Sequence, residues 1–465
     1  MKIVFVFFGL VLSFTSTSQE VIWSQKMSET VINKWPVGNP FGWNYEQGLI
    51  LRAVETVWAR TQTPTYYNYI KGKTDYFVNN AGTINTYDLT SYNLDNIASG
   101  RALHFLYKQT GLDKYKLAAD KLRSQLASQP RTSDGGFWHK QVYPYQMWLD
   151  GLFMAEPFYA EYASLYEQNA LRDVAKQFIL IEQHARDTTT GLLYHGWNEN
   201  KAQAWANPIT GCSPNVWGRA MGWYAMGLVD VIEFFPNSSA ERDSLLAIWQ
   251  RLALAITNYQ DVESGLWYQV MDKQDSIGNY EEASASCMFV YALAKAARLG
   301  YSDGNARVIA QKAYEGILST FVVTDVQGKA HLNGTCPVAG LGGTPYRDGS
   351  YGYYVGVKPI QDDAKGMGAF ILAAVEMELP SNSLDIETAT INGRSIRLYP
   401  NPAQNDIYVT VDEVEAWLEL RDMFGQAVFS GKGNHVSLHD LSTGLYVLEV
   451  TVRGEKSQFK VVKGQ

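Results

Sequence analysis

Residues 245–256 read LLAIWQRLALAI, and the apolar side chains at 245, 248, 252 and 256 fall on one face of a helix. A second helical stripe runs from Leu49 to Trp58, and residues 288–299 are almost entirely apolar, as expected of a helix packed on two sides. Between such helices a glycine followed by a short apolar or aromatic run recurs. The runs are GGFW (135–138), GLLY (191–194), GLWY (265–268) and, more weakly, GKAH (328–331).

The spacing of these runs predicts the architecture. Positions 136, 191, 265 and 328 are 55 to 74 residues apart, which is room for two helices and their loops, and residues 21–380 hold about six such units. Repeated helical hairpins bury their apolar faces against one another, and six can close into a ring. We therefore predict an all-α (α/α)6 toroid as the catalytic domain, in which the loops at one end of the inner helices surround a ligand-binding funnel.

Composition narrows the class of protein. With 465 residues, 46% of them hydrophobic and 18% charged, the chain can form one large core and a smaller one. The net charge is −8 and no segment is densely basic, so we expect no nucleic-acid partner. Aromatic residues make up 13%, which favours a carbohydrate ligand without establishing it.

The cysteines and the first residues of the chain indicate its processing. Cys212, Cys287 and Cys336 are too few for a disulfide framework, although one bridge is possible, and their spacing is not that of a zinc site. Lys2 precedes an apolar run at 3–14 that is too short to span a bilayer. We therefore predict a signal peptide at 1–18 and no stable membrane insertion.

The last part of the chain reads as a second domain. After a polar linker at 381–393, short β-rich runs separated by turn residues predict a small all-β sandwich at 394–465. The predicted strands are 396–399, 407–411, 417–420, 436–438, 446–450 and 459–462.

Two sequence segments of this second domain are specific to a known family. The segments LYPNPAQNDIYV (398–409) and LSTGLYVLEV (441–450) resemble the sorting domain of type IX secretion substrates. The resemblance implies a partnership with that secretion machinery and export through the outer membrane to the medium or the cell surface. A periplasmic location is the alternative, and an accessory sugar-binding sandwich is the alternative for the domain.

Two carboxylates are candidates for acid–base chemistry. Asp95 lies in YNLDNIASG and Asp150 in YPYQMWLDG, 55 residues apart, so both could project from neighbouring inner helices. An Asp beside Trp148 and Tyr145 would be partly desolvated, and we expect this burial to raise its pKa and keep it protonated as a general acid. The alternative is that each Asp merely caps a helix.

Other candidates are binding residues. His139 and His195 follow two of the glycine runs and could face the funnel, or simply be solvated. Near a helix start Trp217, Arg219 and Trp223 could converge on a sugar and its carboxylate, or be two core rings and a surface cation. The loop at 336–358, with six glycines and four tyrosines, is predicted to form a rim of the funnel.

Taken together, the motifs resemble the unsaturated rhamnogalacturonyl hydrolases of glycoside hydrolase family 105, to which family 88 is related. The markers are WNYEQG (43–48), LDNIASG (94–100), YPYQMWLDGLFMAEPF (143–158), LLYHGW (192–197), Trp217 to Trp223, GGTPYRDGSYGYY (342–354) and DAKGMGAFILA (363–373). The resemblance implies that Asp150 is the catalytic acid/base and Asp95 its partner. It places His195, Trp217, Arg219 and Trp223 around the sugar, together with Tyr45, His139 and Trp148.

The resemblance also implies the reaction. The family acts on oligosaccharides made by lyases, which end in a uronic acid with a C4=C5 double bond, and hydrates that bond without a metal or organic cofactor. Members of the family commonly have the sequence Arg-Gly-Asn-Gly-Trp where this chain has RAMGW (219–223). The missing Asn leaves the two catalytic carboxylates in place, so the difference is expected to affect substrate preference. A rhamnogalacturonan or an ulvan substrate fits equally well. The alternatives are a family 88 glucuronyl hydrolase, a polysaccharide lyase and a non-catalytic glycan-binding protein.

Overall fold

The computed structural model describes residues 21–38, 41–379, 387–391, 394–399, 403, 406–411, 416–423 and 425–463. The predicted signal peptide at 1–18 lies outside these residues, as does most of the predicted linker at 381–393. The described residues form two separate hydrophobic cores, one between positions 27 and 375 and one between 396 and 461.

The first part of the chain is helical. Its α-helices are α1 (Trp23–Lys34), α2 (Tyr45–Thr61), α3 (Pro64–Phe77), α4 (Arg101–Thr110), α5 (Asp113–Ser128), α6 (Leu149–Tyr166), α7 (Leu171–Ala185), α8 (Gly218–Ile232), α9 (Ala240–Asn258), α10 (Ala283–Arg298), α11 (Gly304–Thr320), α12 (Tyr351–Gly356) and α13 (Ala364–Glu378). Two short antiparallel pairs accompany them, β1 (Gln146–Trp148) with β2 (Gly196–Asn198) and β3 (Val322–Thr324) with β4 (Ala330–Leu332).

The helices form a closed ring of hairpins. The inner helices α2, α4, α6, α8, α10 and α13 each pack against the next, and α13 packs against α2 to close the ring. The outer helices α3, α5, α7, α9 and α11 lie against their partners, and α1, at the start of the chain, packs on α13 to complete the sixth hairpin. The predicted (α/α)6 toroid is confirmed.

The glycine runs occupy equivalent loops, each leading from an outer helix to the next inner helix. Gly191 and Gly265 have φ of +74° and +76°, a left-handed conformation that glycine adopts without strain. In each loop an aspartate four residues earlier accepts a backbone hydrogen bond from the glycine, at 2.8 Å for Asp187 and 3.0 Å for Asp261. Four positions after Gly135 and after Gly191 the residue is a histidine, His139 and His195 respectively.

The second part is a β-sandwich. Its strands are β5 (Glu387–Ile391), β6 (Arg394–Tyr399), β7 (Asp406–Val411), β8 (Ala416–Asp422), β9 (Ala427–Gly433), β10 (His435–Ser437), β11 (Gly444–Val452) and β12 (Glu455–Lys463). They form two antiparallel sheets, in the orders β10-β7-β6-β5 and β12-β11-β8-β9. The core between them contains alternating apolar residues such as Leu418, Leu420, Leu448 and Val450.

Two strands of this sandwich were not predicted. β5 lies inside the predicted linker, so the sandwich begins before residue 394. β9 was not among the predicted strands, and its end contains Gly431 and Gly433, residues typical of turns. Both are edge strands, and β9 is largely exposed, so it lacks the alternation of buried apolar residues that marks a strand in the sequence.

The remaining expectations about the whole chain concern cysteines and membranes. Cys212, Cys287 and Cys336 are buried and free, so the possible bridge is not formed. No helix within the described residues has the length and apolar character needed to cross a bilayer.

Candidate active site

A cavity of about 230 Å³ opens at one end of the ring, where the loops lead into the inner helices. Eight of the nine predicted site residues line it, namely Tyr45, Asp95, His139, Trp148, Asp150, Trp217, Arg219 and Trp223. The ninth, His195, lies directly beneath the cavity wall and is fully buried. The fold therefore brings these nine residues together at one cavity.

Asp150 is the second residue of α6, and the residue before the helix, Trp148, has an extended backbone. The N-cap position is Trp148, so Asp150 does not cap the helix. The Asp150 Oδ2 atom lies 3.1 Å from His195 Nε2. On the other side of the imidazole, Nδ1 is 2.7 Å from the hydroxyl of Tyr354. This contact orients the ring, so that Nε2 faces the carboxyl group.

The expected rise in the Asp150 pKa is wrong for the free site. Burial does push the pKa of the carboxyl upwards, but the neighbouring His195, by charge and hydrogen bonding, and His139 outweigh it. The pKa of Asp150 therefore lies below its ordinary value. Tyr145, expected beside Asp150, is instead 41% exposed and packs on Trp138, so it does not shield the carboxyl.

Asp95 has a different environment. It lies in a short 3₁₀ helix (Leu94–Asn96), which Asn93 caps by accepting a hydrogen bond from the Asp95 backbone, so Asp95 is not the cap either. Its Oδ2 accepts a 2.5 Å hydrogen bond from Lys140 Nζ. Its Oδ1 lies 3.4 Å from Nε2 of His139. Burial lowers the pKa of His139 to about 4, so at neutral pH its imidazole is uncharged and the ion pair of Asp95 is with Lys140.

Aromatic rings form two walls of the cavity. Trp148 stacks on His139 at 4.6 Å between centroids and on Tyr143 at 4.8 Å. Trp223 meets Tyr45 edge to face at 6.1 Å. Trp217 and Trp223 are each only 1% exposed, so they offer ring edges rather than open faces to a ligand.

Arg219 is a buried cation, not the surface residue of the alternative interpretation. One of its terminal nitrogens donates to the backbone carbonyl of Cys336, and its guanidinium lies 4.7 Å from the ring centroid of Trp217. Its Nε atom has no hydrogen-bond partner in the described part of the chain. A buried guanidinium that lines the cavity with an unused donor fits an anionic group of a ligand.

Four residues of the site were not predicted. Lys140 pairs with Asp95, Tyr354 orients His195, and Arg347 and Lys365 line the cavity. Lys365 Nζ is held by Glu46 at 2.6 Å and by Asp363 at 3.0 Å. Arg347, Tyr354 and Lys365 belong to sequence motifs that had been noticed without a role for these side chains. Lys140 is adjacent to His139, but nothing in its local pattern indicates an ion pair.

The loop at 336–358, predicted to form the rim, contributes to the cavity. Val338, Ala339 and Arg347, from the loop at 336–358, line the cavity, as the predicted rim requires. Within the ranges that the structure describes, no group of three or more His, Cys, Asp or Glu side chains is arranged to hold a metal ion.

Family models match both parts of the chain. The model of Glycosyl Hydrolase Family 88 matches residues 21–379. The model of a secretion system C-terminal sorting domain matches residues 397–464. The two matches coincide with the helical ring and with most of the sandwich.

Individual proteins are also similar. Protein Atu3128 of Agrobacterium fabrum is 42% identical over 230 residues, which are 48% of this chain and 97% of that protein. The unsaturated rhamnogalacturonyl hydrolase YesR of Bacillus subtilis is 30% identical over 269 residues, which are 56% of this chain and 72% of that protein.

Among solved structures, a family 105 glycoside hydrolase of C. acetobutylicum is 41% identical, with a TM-score of 0.76 over 77% of this chain and 100% of that one. The unsaturated glucuronyl hydrolase of Bacillus sp. GL1 has a TM-score of 0.56 over 77% of this chain and 95% of that one. It is 14% identical, so it shows only the shared fold.

Proposed function

The chain belongs to Glycosyl Hydrolase Family 88, within the group of unsaturated uronyl hydrolases that includes family 105, and we propose that Asp150 carries out its chemistry. The substrate would be an oligosaccharide whose non-reducing end is a uronic acid with a C4=C5 double bond. The observation that carries the proposal is the buried pair of Asp150 Oδ2 and His195 Nε2, 3.1 Å apart, at a cavity that Asp95 also lines.

In the proposed reaction the double bond is hydrated. The protonated Asp150 carboxyl gives its proton to C4, and the enol ether becomes an oxocarbenium ion at C5. The Asp150 carboxylate then removes a proton from a water molecule as its oxygen bonds to C5. The hemiketal that results opens, breaks the glycosidic bond and releases the neighbouring sugar, so one carboxyl group acts first as acid and then as base.

The pKa of Asp150 is lowered in the free site. For Asp150 to act as an acid, substrate binding must therefore raise this pKa. A uronate bears a negative charge, and a negative charge close to a carboxyl group raises its pKa. Ring atoms of the sugar also replace water at the cavity and increase the desolvation of Asp150. Both effects oppose the influence of His195, so the carboxyl group becomes a usable acid only when the anionic substrate is bound.

The substrate carboxylate needs a positive partner. Arg219 is a cation with an unused Nε donor in the wall. Lys140 and Lys365 already pair with carboxylates, and Arg347 already donates to Tyr143 and to two backbone carbonyls. We place the uronate carboxyl against Arg219 and the sugar between Tyr45 and Trp148. A guanidinium fits a carboxylate in a fixed geometry, which orients C4 towards Asp150.

Defined disaccharides test the proposed reaction and show which substrate class the enzyme accepts. Unsaturated galacturonate linked to rhamnose represents the rhamnogalacturonan class, and unsaturated glucuronate linked to rhamnose represents the ulvan class. We expect the absorbance of the conjugated uronate to fall with at least one of them. No fall with either would contradict the proposal, and a rise on an intact polysaccharide would show a lyase instead. Tight binding without turnover would show a glycan-binding protein.

The sandwich assigns the enzyme to an export route. Because residues 397–464 match a secretion system sorting domain, we propose that the type IX machinery carries the enzyme across the outer membrane and that the signal peptide at 1–18 directs the earlier step. Deletion of 387–465 should retain active enzyme in the periplasm. Unchanged appearance of the truncated enzyme in the medium would contradict this route.

A further inference from the structure

A much smaller cavity lies next to the residues that line the 230 Å³ cavity. Its volume is about 10 Å³, close to the space that one water molecule requires, and it is enclosed between α6, α7 and the loop that carries His139. Its polar lining residues are His139, Glu156 and Gln177. His139 lines both this cavity and the larger one, and its Nε2 lies 3.4 Å from Asp95.

Two buried polar atoms at this cavity have no partner. His139 Nδ1 and Glu156 Oε2 make no hydrogen bond within the described ranges, and the two residues are 3% and 1% exposed. Gln177 is already engaged, since its Oε1 accepts from Phe137 at 2.7 Å and its Nε2 donates to Gly135 and Asp173 at 3.2 Å. A buried polar atom without a partner is unfavourable, so a bridge that satisfies both atoms stabilises the folded protein.

The protonation states follow from the surroundings. His139 is neutral near pH 7 because burial lowers its pKa to about 4, and it therefore carries one ring proton. Nε2 faces the Asp95 carboxylate, which is paired with Lys140, so the proton belongs on Nε2. Nδ1 must then accept a hydrogen bond. Burial and the charge of Asp173 hold the pKa of Glu156 well above its ordinary value, despite the opposing effect of Arg131, so its carboxyl group is a donor.

We propose that Glu156 is a positioning residue which, through one buried water in this cavity, donates to His139 Nδ1, keeps the imidazole in its Nε2–H form and so holds the Asp95 carboxylate in place. The relay runs from Glu156 through water and His139 to Asp95. It contacts no substrate atom, and its effect on turnover rests on the function proposed above.

The direct test is the tautomer of His139 in the intact protein, by long-range ¹H–¹⁵N NMR with ¹⁵N-histidine; the chain has seven histidines, and His139→Asn identifies the signal. We expect an unprotonated Nδ1 in the wild type and a mixture of tautomers in Glu156→Leu. Glu156→Gln keeps a donor towards the water and should restore the wild-type spectrum. A protonated Nδ1 in the wild type, or an unchanged spectrum in Glu156→Leu, would overturn the proposal.

Kinetics give a second readout. In Glu156→Leu we expect kcat to fall about tenfold with KM unchanged, because the Asp95 carboxylate loses part of its orientation, and we expect Glu156→Gln to recover most of the loss. Glu161→Leu, on the same helix outside the cavity wall, is the matched control. Equal loss in all three variants would mean a merely structural role. The NMR result needs no substrate, so it stands or fails separately from the proposed function. If Glu156→Leu does not fold, the wild-type and Glu156→Gln spectra still decide.

Discussion

The two carboxylates on the cavity wall differ in how their charge is balanced. Asp95 lies against the ammonium group of Lys140, with 2.5 Å between Lys140 Nζ and the Asp95 Oδ2 atom. Asp150 lies against the imidazole of His195, whose other ring nitrogen contacts the hydroxyl of Tyr354. Both carboxylates line the same 230 Å³ cavity.

The difference assigns the roles. A carboxylate locked to a lysine is a stable negative charge, suited to stabilising an oxocarbenium ion and to orienting groups on the sugar. A carboxylate paired with a histidine can exchange a proton when its surroundings change, as catalysis requires. Asp150 is therefore the acid and base in our account, and Asp95 is the fixed electrostatic partner.

The largest expected effect is that of Asp150→Asn. The amide is nearly the same size but neither donates an acidic proton nor accepts one from water, so kcat should fall by at least about 10³-fold. Substrate binding, measured by calorimetry, should persist. Turnover within tenfold of the wild type would show that another group supplies the proton.

Asp95→Asn should have the next largest effect. Removal of the fixed negative charge weakens stabilisation of the developing positive charge, and we expect kcat to fall by about 10²-fold. Steady-state kinetics together with a melting curve separate this loss from unfolding. Normal turnover in a folded variant would reduce Asp95 to a structural role.

His195→Gln should change the pH dependence more than the fold. In the free enzyme, the histidine opposes the effect of burial and lowers the Asp150 pKa, so kcat/KM depends on a group that loses its proton at low pH. Without the histidine, burial raises that pKa, and the alkaline limb of kcat/KM should move to higher pH even though the maximum is lower. An alkaline limb that stays in place, or moves to lower pH, would contradict the assigned influence of His195.

Lys140→Met should have the smallest effect. The Asp95 carboxylate keeps its negative charge but loses its counter-charge, so it repels the anionic substrate and KM should rise several-fold. The same change in the Asp95→Asn background should have no further effect. Additive losses in the double variant would show that Lys140 acts independently of Asp95.

The architecture was predictable from the sequence because each hairpin repeats the same physical requirement. Gly191 and Gly265 mark left-handed turns after an outer helix, and the apolar residues that follow mark entry into the ring. The edge strand β9 was missed because its exposed residues carry no alternating apolar pattern. Local periodicity therefore finds elements that bury a face and overlooks those that do not.

That the nine predicted residues meet at one cavity was also predictable, but the electrostatics of the cavity were not. Asp150 and His195 are 45 positions apart, and only the ring brings them to 3.1 Å. The expectation of a raised Asp150 pKa considered burial by nearby aromatic residues and omitted the histidine from the next hairpin. The ion pair between Asp95 and Lys140 has the same origin, a contact between loops that no local motif encodes.

The most direct test of the account follows two signals in one reaction of the wild-type enzyme, using the disaccharide that it accepts. The first is the absorbance of the conjugated uronate, and the second is release of the neighbouring sugar. We predict that absorbance is lost no later than the sugar is released, and that Asp150→Asn abolishes both. Early release of the sugar while the absorbance persists would show ordinary glycoside hydrolysis and would contradict hydration by Asp150.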